Sequence, residues 1–301
     1  MVSGAIPGRV AVSDDGAVVA LAYQQSISKP VLAYWKPGTV SANPDAYLVL
    51  NDFSITTQFP RVVLSGDGKW AAVATHSSFG IYELDPTPTR RYFSSSFGAL
   101  SPDQGTGYPG CVGFSHDGSV FVFAPFSYPV SPNKIRVTRR TPTNTYVLDA
   151  AEYSIGSGAA GYQPSDDWQC FSFQLTPDAS RLAYTGVSIN QAKAIVEFLL
   201  LSSNPSTFTR TMTTVRPYFG TSNPPIMAQL SPDGRKGTVW HTTTSVLPYD
   251  TDYPEIEVFE STHTTPIYTL QLEPLLGTYG GSGGLSAMMD VSGDGRKGLF
   301  G

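Results

Sequence analysis

The sequence predicts an all-β protein, and three observations carry that prediction. A turn of the type Ser/Thr-x-Asp-Gly recurs six times along the 301 residues, with Ala in place of Gly in the fourth. Apolar residues alternate in the run before each turn, which is the pattern of a strand with one greasy face, and a second strand-like run follows. Charged residues make up 14% of the chain, well under the usual ~25%. Gly, Pro, Ser, Thr and Tyr fill the gap, as suits short strands joined by many turns.

The turns are Ser13-Asp14-Asp15-Gly16, Ser65-Gly66-Asp67-Gly68, Ser115-His116-Asp117-Gly118, Thr176-Pro177-Asp178-Ala179, Ser231-Pro232-Asp233-Gly234 and Ser292-Gly293-Asp294-Gly295. From their first positions the spacings are 52, 50, 61, 55 and 61 residues. Before each turn the chain places Val12, Leu64, Phe114, Leu175, Leu230 or Val291, and two residues earlier Val10, Val62, Val112, Phe173, Ala228 or Met289. A second strand follows each turn: AVVALAY (17–23), KWAAVAT (69–75), SVFVFA (119–124), SRLAYTG (180–186), RKGTVWH (235–241) and RKGLFG (296–301). Asp-Gly between two such runs is a strong hairpin signal. The aspartate is expected to bond its own backbone two residues on.

Third strands read VLAYW (31–35), FGIYEL (79–84), KIRVTRR (134–140), AIVEFLLL (194–201) and EIEVFE (255–260). Fourth strands read AYLVLN (46–51), RRYFSS (90–95), TYVLDA (145–150), TFTRTM (207–212) and PIYTLQL (266–272). Each unit is then a four-stranded antiparallel sheet. Sheets of this kind, repeated at about 40–50 residues, bury their faces by stacking around an axis, the architecture of a β-propeller. The blades are expected at 9–51, 60–95, 110–150, 168–212 and 226–272, within one domain spanning 1–301.

The sixth unit, at 285–301, holds only two strands. The ring is therefore expected to be six-bladed with an incomplete last blade: five complete blades plus two strands. Three explanations stand open. The last blade is short, its outer strands come from another chain or copy, or the chain is cut from a longer polypeptide.

At the Ser-Pro-Asp-Gly hairpins the chain resembles the propeller repeats of the WD-repeat and Tol-type families. The resemblance covers nearly the whole chain and implies a fold rather than a function. The Gly-His and Trp-Asp dipeptides of true WD repeats are absent, and the Asp and Gly are adjacent, unlike those of a sialidase-type Asp box.

A formal net charge of -5 excludes the basic footprint that nucleic-acid binding needs. The basic pairs Arg90-Arg91 and Arg139-Arg140 read as solvated strand faces. No apolar run approaches the ~20 residues of a membrane helix. The N-terminus shows no signal-peptide pattern, and the compartment stays open, with an extracellular or virion surface weakly favoured by composition. Cys111 and Cys170, the two cysteines, fall in inner strands and read as free buried thiols, with a bridge between them as the less favoured alternative. His76, His116, His241 and His263 share no metal spacing, and His116 is expected to be exposed in its turn. Gly280-Gly281-Ser282-Gly283-Gly284 matches Gly-x-Ser-x-Gly formally but lacks the strand-turn-helix context.

Function is expected on the face that carries the loops from each fourth strand to the next first strand, together with those joining strands two and three. These loops are long and rich in Gly, Ser and Pro, and most carry aromatics. The candidate ligand-binding residues are Tyr108, Tyr162, Asp166, Asp167, Tyr218, Phe219, Tyr253 and Tyr279. Tyr offers flat, amphipathic contact area; alternatively these rings simply pin the loops down. Asp250, Asp252 and Glu255 give oxygen-rich spacing suited to Ca²⁺, although turn-capping is the commoner role. The composition points to a non-enzymatic binding or scaffold protein for a protein or glycan partner, with self-assembly as a homo-oligomer. The alternative is a propeller hydrolase or lactonase with a metal or carboxylates at the central channel.

Overall fold

The computed structural model describes residues 5–6, 10–25, 29–36, 43–53, 60–75, 78–95, 112–124, 134–163, 168–188, 191, 193–203, 206–217, 227–243, 253–260, 262–271, 289–291 and 298–300. Every regular element among them is a strand, and no helix occurs among the described residues. The sheets follow one another along the chain, each built antiparallel from consecutive strands. In the first, β1 (Ala5–Ile6) and β2 (Val10–Val12) lie on the same edge of β3 (Val19–Gln25), followed by β4 (Pro30–Trp35) and β5 (Ala46–Val49). The short β1 thus extends the first strand of this sheet.

The second sheet holds β6 (Arg61–Leu64), β7 (Trp70–Ala74), β8 (Phe79–Glu83) and β9 (Thr89–Ser94). The third holds β10 (Val112–Phe114), β11 (Val120–Phe123), β12 (Lys134–Arg140) and β13 (Tyr146–Ser154). The fourth holds β14 (Gln169–Leu175), β15 (Arg181–Ser188), β16 (Lys193–Ser203) and β17 (Ser206–Pro217), and the fifth β18 (Met227–Leu230), β19 (Lys236–Thr243), β20 (Tyr253–Glu260) and β21 (Tyr268–Gln271). A two-stranded sheet, β22 (Met289–Val291) and β23 (Gly298–Phe300), comes last. These are the units that the repeat predicts. The outer strands of the fourth run longer than expected, to Ser203 and Pro217, and β13 runs on to Ser154, into what reads as loop.

Four of the turns close as the sequence predicts, with one addition; the turn at 292–295 lies outside the described residues. The hydroxyls of Ser13, Ser65, Ser115 and Ser231 donate to Oδ1 of Asp15, Asp67, Asp117 and Asp233 at 2.6, 2.7, 2.8 and 2.6 Å. The same carboxylate oxygens accept the N–H two residues on, from Ala17, Lys69, Ser119 and Arg235. Each serine Oγ also accepts the N–H five residues ahead, at 2.9–3.1 Å. One hydroxyl therefore satisfies a backbone donor and orients the carboxylate that satisfies another.

The chain divides into two compact units, Met1–Tyr153 with Pro177–Ala179, and Ser154–Thr176 with Ser180–Gly301. In the first unit the turns are stitched to one another. Asp14 N–H donates to Gly66 O at 3.0 Å, Asp67 N–H to His116 O at 2.8 Å and His116 N–H to Pro177 O at 2.7 Å. The His116 ring closes over Gly66 onto Asp14, Nδ1 to Oδ2 at 2.7 Å.

Packing between sheets follows from strands that are apolar on both faces. Within β7, Ala71 and Val73 join Ala20, Ala22, Leu32 and Tyr34 of the first sheet, while Trp70, Ala72 and Ala74 join Val112, Phe114, Phe121 and Phe123 of the third. In the second unit, Phe198 of β16 and Phe259 of β20 meet within the core shared by the fourth and fifth sheets. The first sheet has a second apolar face, with cross-strand rows Val12–Val19–Trp35, Val10–Leu21–Ala33–Tyr47 and Tyr23–Val31–Val49. Its rim is exposed, to 60% at Val10 and 69% at Tyr47.

Cys170 is buried and disulfide-bonded, which corrects the expectation of a free thiol there. Paired sulfurs, rather than a small hydrophobe, occupy that strand position. Cys111 lies outside the described residues.

Candidate functional site

Of the residues that the sequence nominates, the structure describes Tyr162 and the backbone of Tyr253 and Glu255. Tyr108, Asp166, Asp167, Tyr218, Phe219, Tyr279, Asp250 and Asp252 lie outside the described residues, as does His76. Tyr162 is half-buried at the end of a run of tight turns after β13, its N–H donating to Ala159 O at 3.1 Å. Tyr253 opens β20 opposite Thr243, and Glu255 pairs in register with His241 and Gln271. Among the described residues no group of three or more His, Cys, Asp and Glu side chains is arranged to hold a metal.

The basic pairs are engaged rather than free. Arg90 bonds Asp52, Arg91 bonds Glu83 at 2.5 Å, and Arg139 bonds Asp149 at 2.6 Å. Arg140 lies over the Trp70 ring, 4.7 Å from its centroid. His116 is exposed in its turn, as expected. The Asp14 carboxylate beside it holds its imidazole above the ordinary value, and the charges of Asp67 and Asp117 act in the same direction.

A buried assembly of ionisable groups among the described residues is one that sequence reasoning missed. Glu197, in the middle of β16, is fully buried. Its cross-strand neighbours are Tyr184 of β15 and Thr213 of β17. The Tyr184 hydroxyl donates to Glu197 Oε2, and Arg210 Nη1 stands 3.5 Å from Oε1. Tyr184 Oη in turn accepts the N–H of Gly156 at 3.0 Å. The turns at 154–161 lie directly on this cluster. A Cβ at Gly158 would collide with the Glu197 carboxylate and come within 2.7 Å of Thr213 Oγ1. One signal was legible: a single glutamate interrupts the apolar run AIVEFLLL. A buried carboxylate must be paired and hydrogen-bonded to stand there, and a phenol and a guanidinium meet that demand. Glu257 of β20, opposite Val239, is a second buried carboxylate. No helix among the described residues is long and apolar enough to cross a membrane.

No family matches the sequence, and no curated protein matches it. Solved structures do. Hydrazine synthase of Kuenenia stuttgartiensis is similar over 98% of this chain and 73% of its own, at 15% identity and a TM-score of 0.60. A putative 6-phosphogluconolactonase from Bacteroides uniformis is similar over 97% of this chain and 76% of its own, at 14% identity and a TM-score of 0.57. A second one, from Bacteroides fragilis, is similar over 98% and 76%, at 12% identity and a TM-score of 0.55. At such identities the likeness establishes the fold. With the repeated four-stranded sheets it defines the class: an all-β protein of β-propeller type. The non-enzymatic scaffold that the composition suggested is corrected by these comparisons, because the propellers that share the fold along nearly the full chain include proteins described as lactonases. Low charge and abundant Tyr, Ser and Gly are properties of composition, and they do not separate a binder from an enzyme.

Proposed function

We propose that this chain is a propeller hydrolase that opens a sugar lactone. The observation that carries the reading is the likeness, over 97% and 98% of this chain, to two propellers described as putative 6-phosphogluconolactonases. The chemistry asks little of a site. A carboxylate takes a proton from water, the hydroxide adds to the lactone carbonyl, and the ring C–O bond breaks. The departing alkoxide takes a proton, leaving a hydroxy acid. The loop that carries Tyr162 also carries Asp166 and Asp167 in sequence, and these carboxylates are the bases we assign to this step. Tyr162 supplies a flat surface for a sugar ring.

The test is lactone hydrolysis followed by proton release in a pH-stat, with glucono-δ-lactone and its 6-phosphate as substrates. Hydrolysis above the spontaneous rate, falling about 100-fold or more in Asp166→Asn or Asp167→Asn, is the expected result. Rates equal to buffer alone for both lactones, with and without added Ca²⁺, overturn the reading.

A further inference from the structure

The turns that follow β13 are fixed from below by a chain of contacts that begins at a buried charge. Ile155 and Ala159 are buried, at 1% and 6% exposure, so the crossing 154–163 is seated and not draped over the surface. Successive turns close it: Ser157 N–H to Ser154 O at 3.2 Å, Ala159 N–H to Gly156 O at 2.9 Å and Tyr162 N–H to Ala159 O at 3.1 Å. Gly156 lies flat on the Trp168 indole, where a Cβ would collide with the ring. Ile155 sits against Gly186, 3.0 Å from where its Cβ would be. The polar anchor is Tyr184, whose hydroxyl accepts the Gly156 N–H and donates a hydrogen bond to Glu197.

We propose that Glu197 is a positioning residue: through Tyr184 it holds the 154–163 crossing, and with it the Tyr162 edge of the loop face, in the conformation that binds substrate. Three features support this over a passive buried ion pair. Glu197 stands among apolar neighbours in β16, where an isosteric hydrophobe would cost no desolvation. Its phenolic partner accepts a backbone N–H from the crossing itself, that of Gly156. The crossing has a glycine, Gly158, where it meets the carboxylate, and any side chain there would displace it. The binding role rests on the lactonase reading above; the anchoring does not.

The experiment uses the full chain and two variants, Tyr184→Phe and Glu197→Gln. Amide hydrogen exchange is followed by mass spectrometry on peptides covering 154–163. In Tyr184→Phe the Gly156 N–H loses its acceptor, and exchange across 156–162 rises about tenfold while β6–β9 keep wild-type protection. Glu197→Gln retains an acceptor for the phenol but loses the charge facing Arg210, so its rise is smaller. Unchanged exchange in both variants overturns the anchor, and so does an equal rise in every sheet, which marks general destabilisation. Where wild-type protein hydrolyses a lactone, Tyr184→Phe raises KM about fivefold or more with kcat within about twofold. An unchanged KM beside a loosened crossing overturns the positioning role and leaves the lactonase reading standing. A wild type without lactonase activity overturns that reading, and the exchange data still decide the anchor.

Discussion

Glycine at the fourth position of the turn answers two separate demands, and two of the repeats tell them apart. Gly16 and Gly118 share a left-handed backbone, with φ of 72° and 67°. A Cβ at Gly16 would meet nothing within 4 Å, whereas at Gly118 it would stand 2.6 Å from Trp70 Cγ. Gly16→Ala should therefore cost only the left-handed strain of an L-residue, about 1 kcal/mol. Gly118→Ala adds overpacking against an indole pinned by Tyr146 and Arg140, for a total of about 2–4 kcal/mol. Urea midpoints of the two variants read the difference directly, and equal shifts would show that backbone strain alone selects the glycine. The Asp-Gly signal was legible in the sequence because turn chemistry is local. The Trp70 contact was not, because it joins residues 48 positions apart in sequence (118 less 70). Glu197 was overlooked for the same reason: its phenol and guanidinium partners lie 13 residues away on either side, on other strands.

The apolar pattern of each strand decides how many neighbouring sheets it needs. Alternation gives the strand before each turn one apolar face, whereas β7, the strand after its turn, with Trp70, Ala71, Ala72, Val73 and Ala74 all buried, has two. A strand apolar on both faces needs a neighbour on each side, and the second sheet has them. The small residues Ala71, Ala72 and Ala74 let neighbouring sheets approach, and the same device recurs in the second unit, where the Phe198 ring covers the bare backbone of Gly237. Removing the ring by Phe198→Ala should cost about 3–5 kcal/mol through the cavity it leaves. Adding a methyl by Gly237→Ala should cost about 1–3 kcal/mol through overpacking. The double variant is the sharper measurement. The new methyl then occupies part of the vacated space, so the two costs should sum to more than the cost measured for both together. Strict additivity in denaturant titrations would mean that the ring and the glycine do not bear on each other. The loop lengths gave the sequence its list of candidate binding residues, yet loops carry no periodicity from which to place a side chain. Of that list Tyr162 is the one whose side chain the structure describes, and it is placed by the buried turns before it rather than by its own composition.

Across the described residues the repeated turns contribute to the response to pH. The Ser13 hydroxyl and the Ala17 N–H hold the Asp15 carboxyl below its ordinary value, and the Ser231 hydroxyl and the Arg235 N–H do the same for Asp233. At Asp117 burial pushes upward, but the Ser119 and Ser115 hydrogen bonds and the Arg140 charge outweigh it. Carboxyls lowered on folding contribute stability that is present above their unfolded value, about 3.9, and is lost as the pH falls through the folded values. His116 runs the opposite way. Its imidazole is raised by the hydrogen bond to Asp14, with Asp67 and Asp117 also facing it. Its contribution is full below the unfolded value, about 6.5, and disappears as the pH rises through the higher folded one. Thermal midpoints should therefore fall steeply below about pH 4 and decline gently above about pH 6.5. His116→Asn and Asp14→Asn should each flatten the alkaline decline and leave the acid limb in place. Because the pair is half exposed, the alkaline decline should also shrink in about 1 M salt. If both variants keep the wild-type slope above pH 6.5, the clasp over Gly66 contributes nothing to stability, and the backbone bonds between turns hold them together unaided.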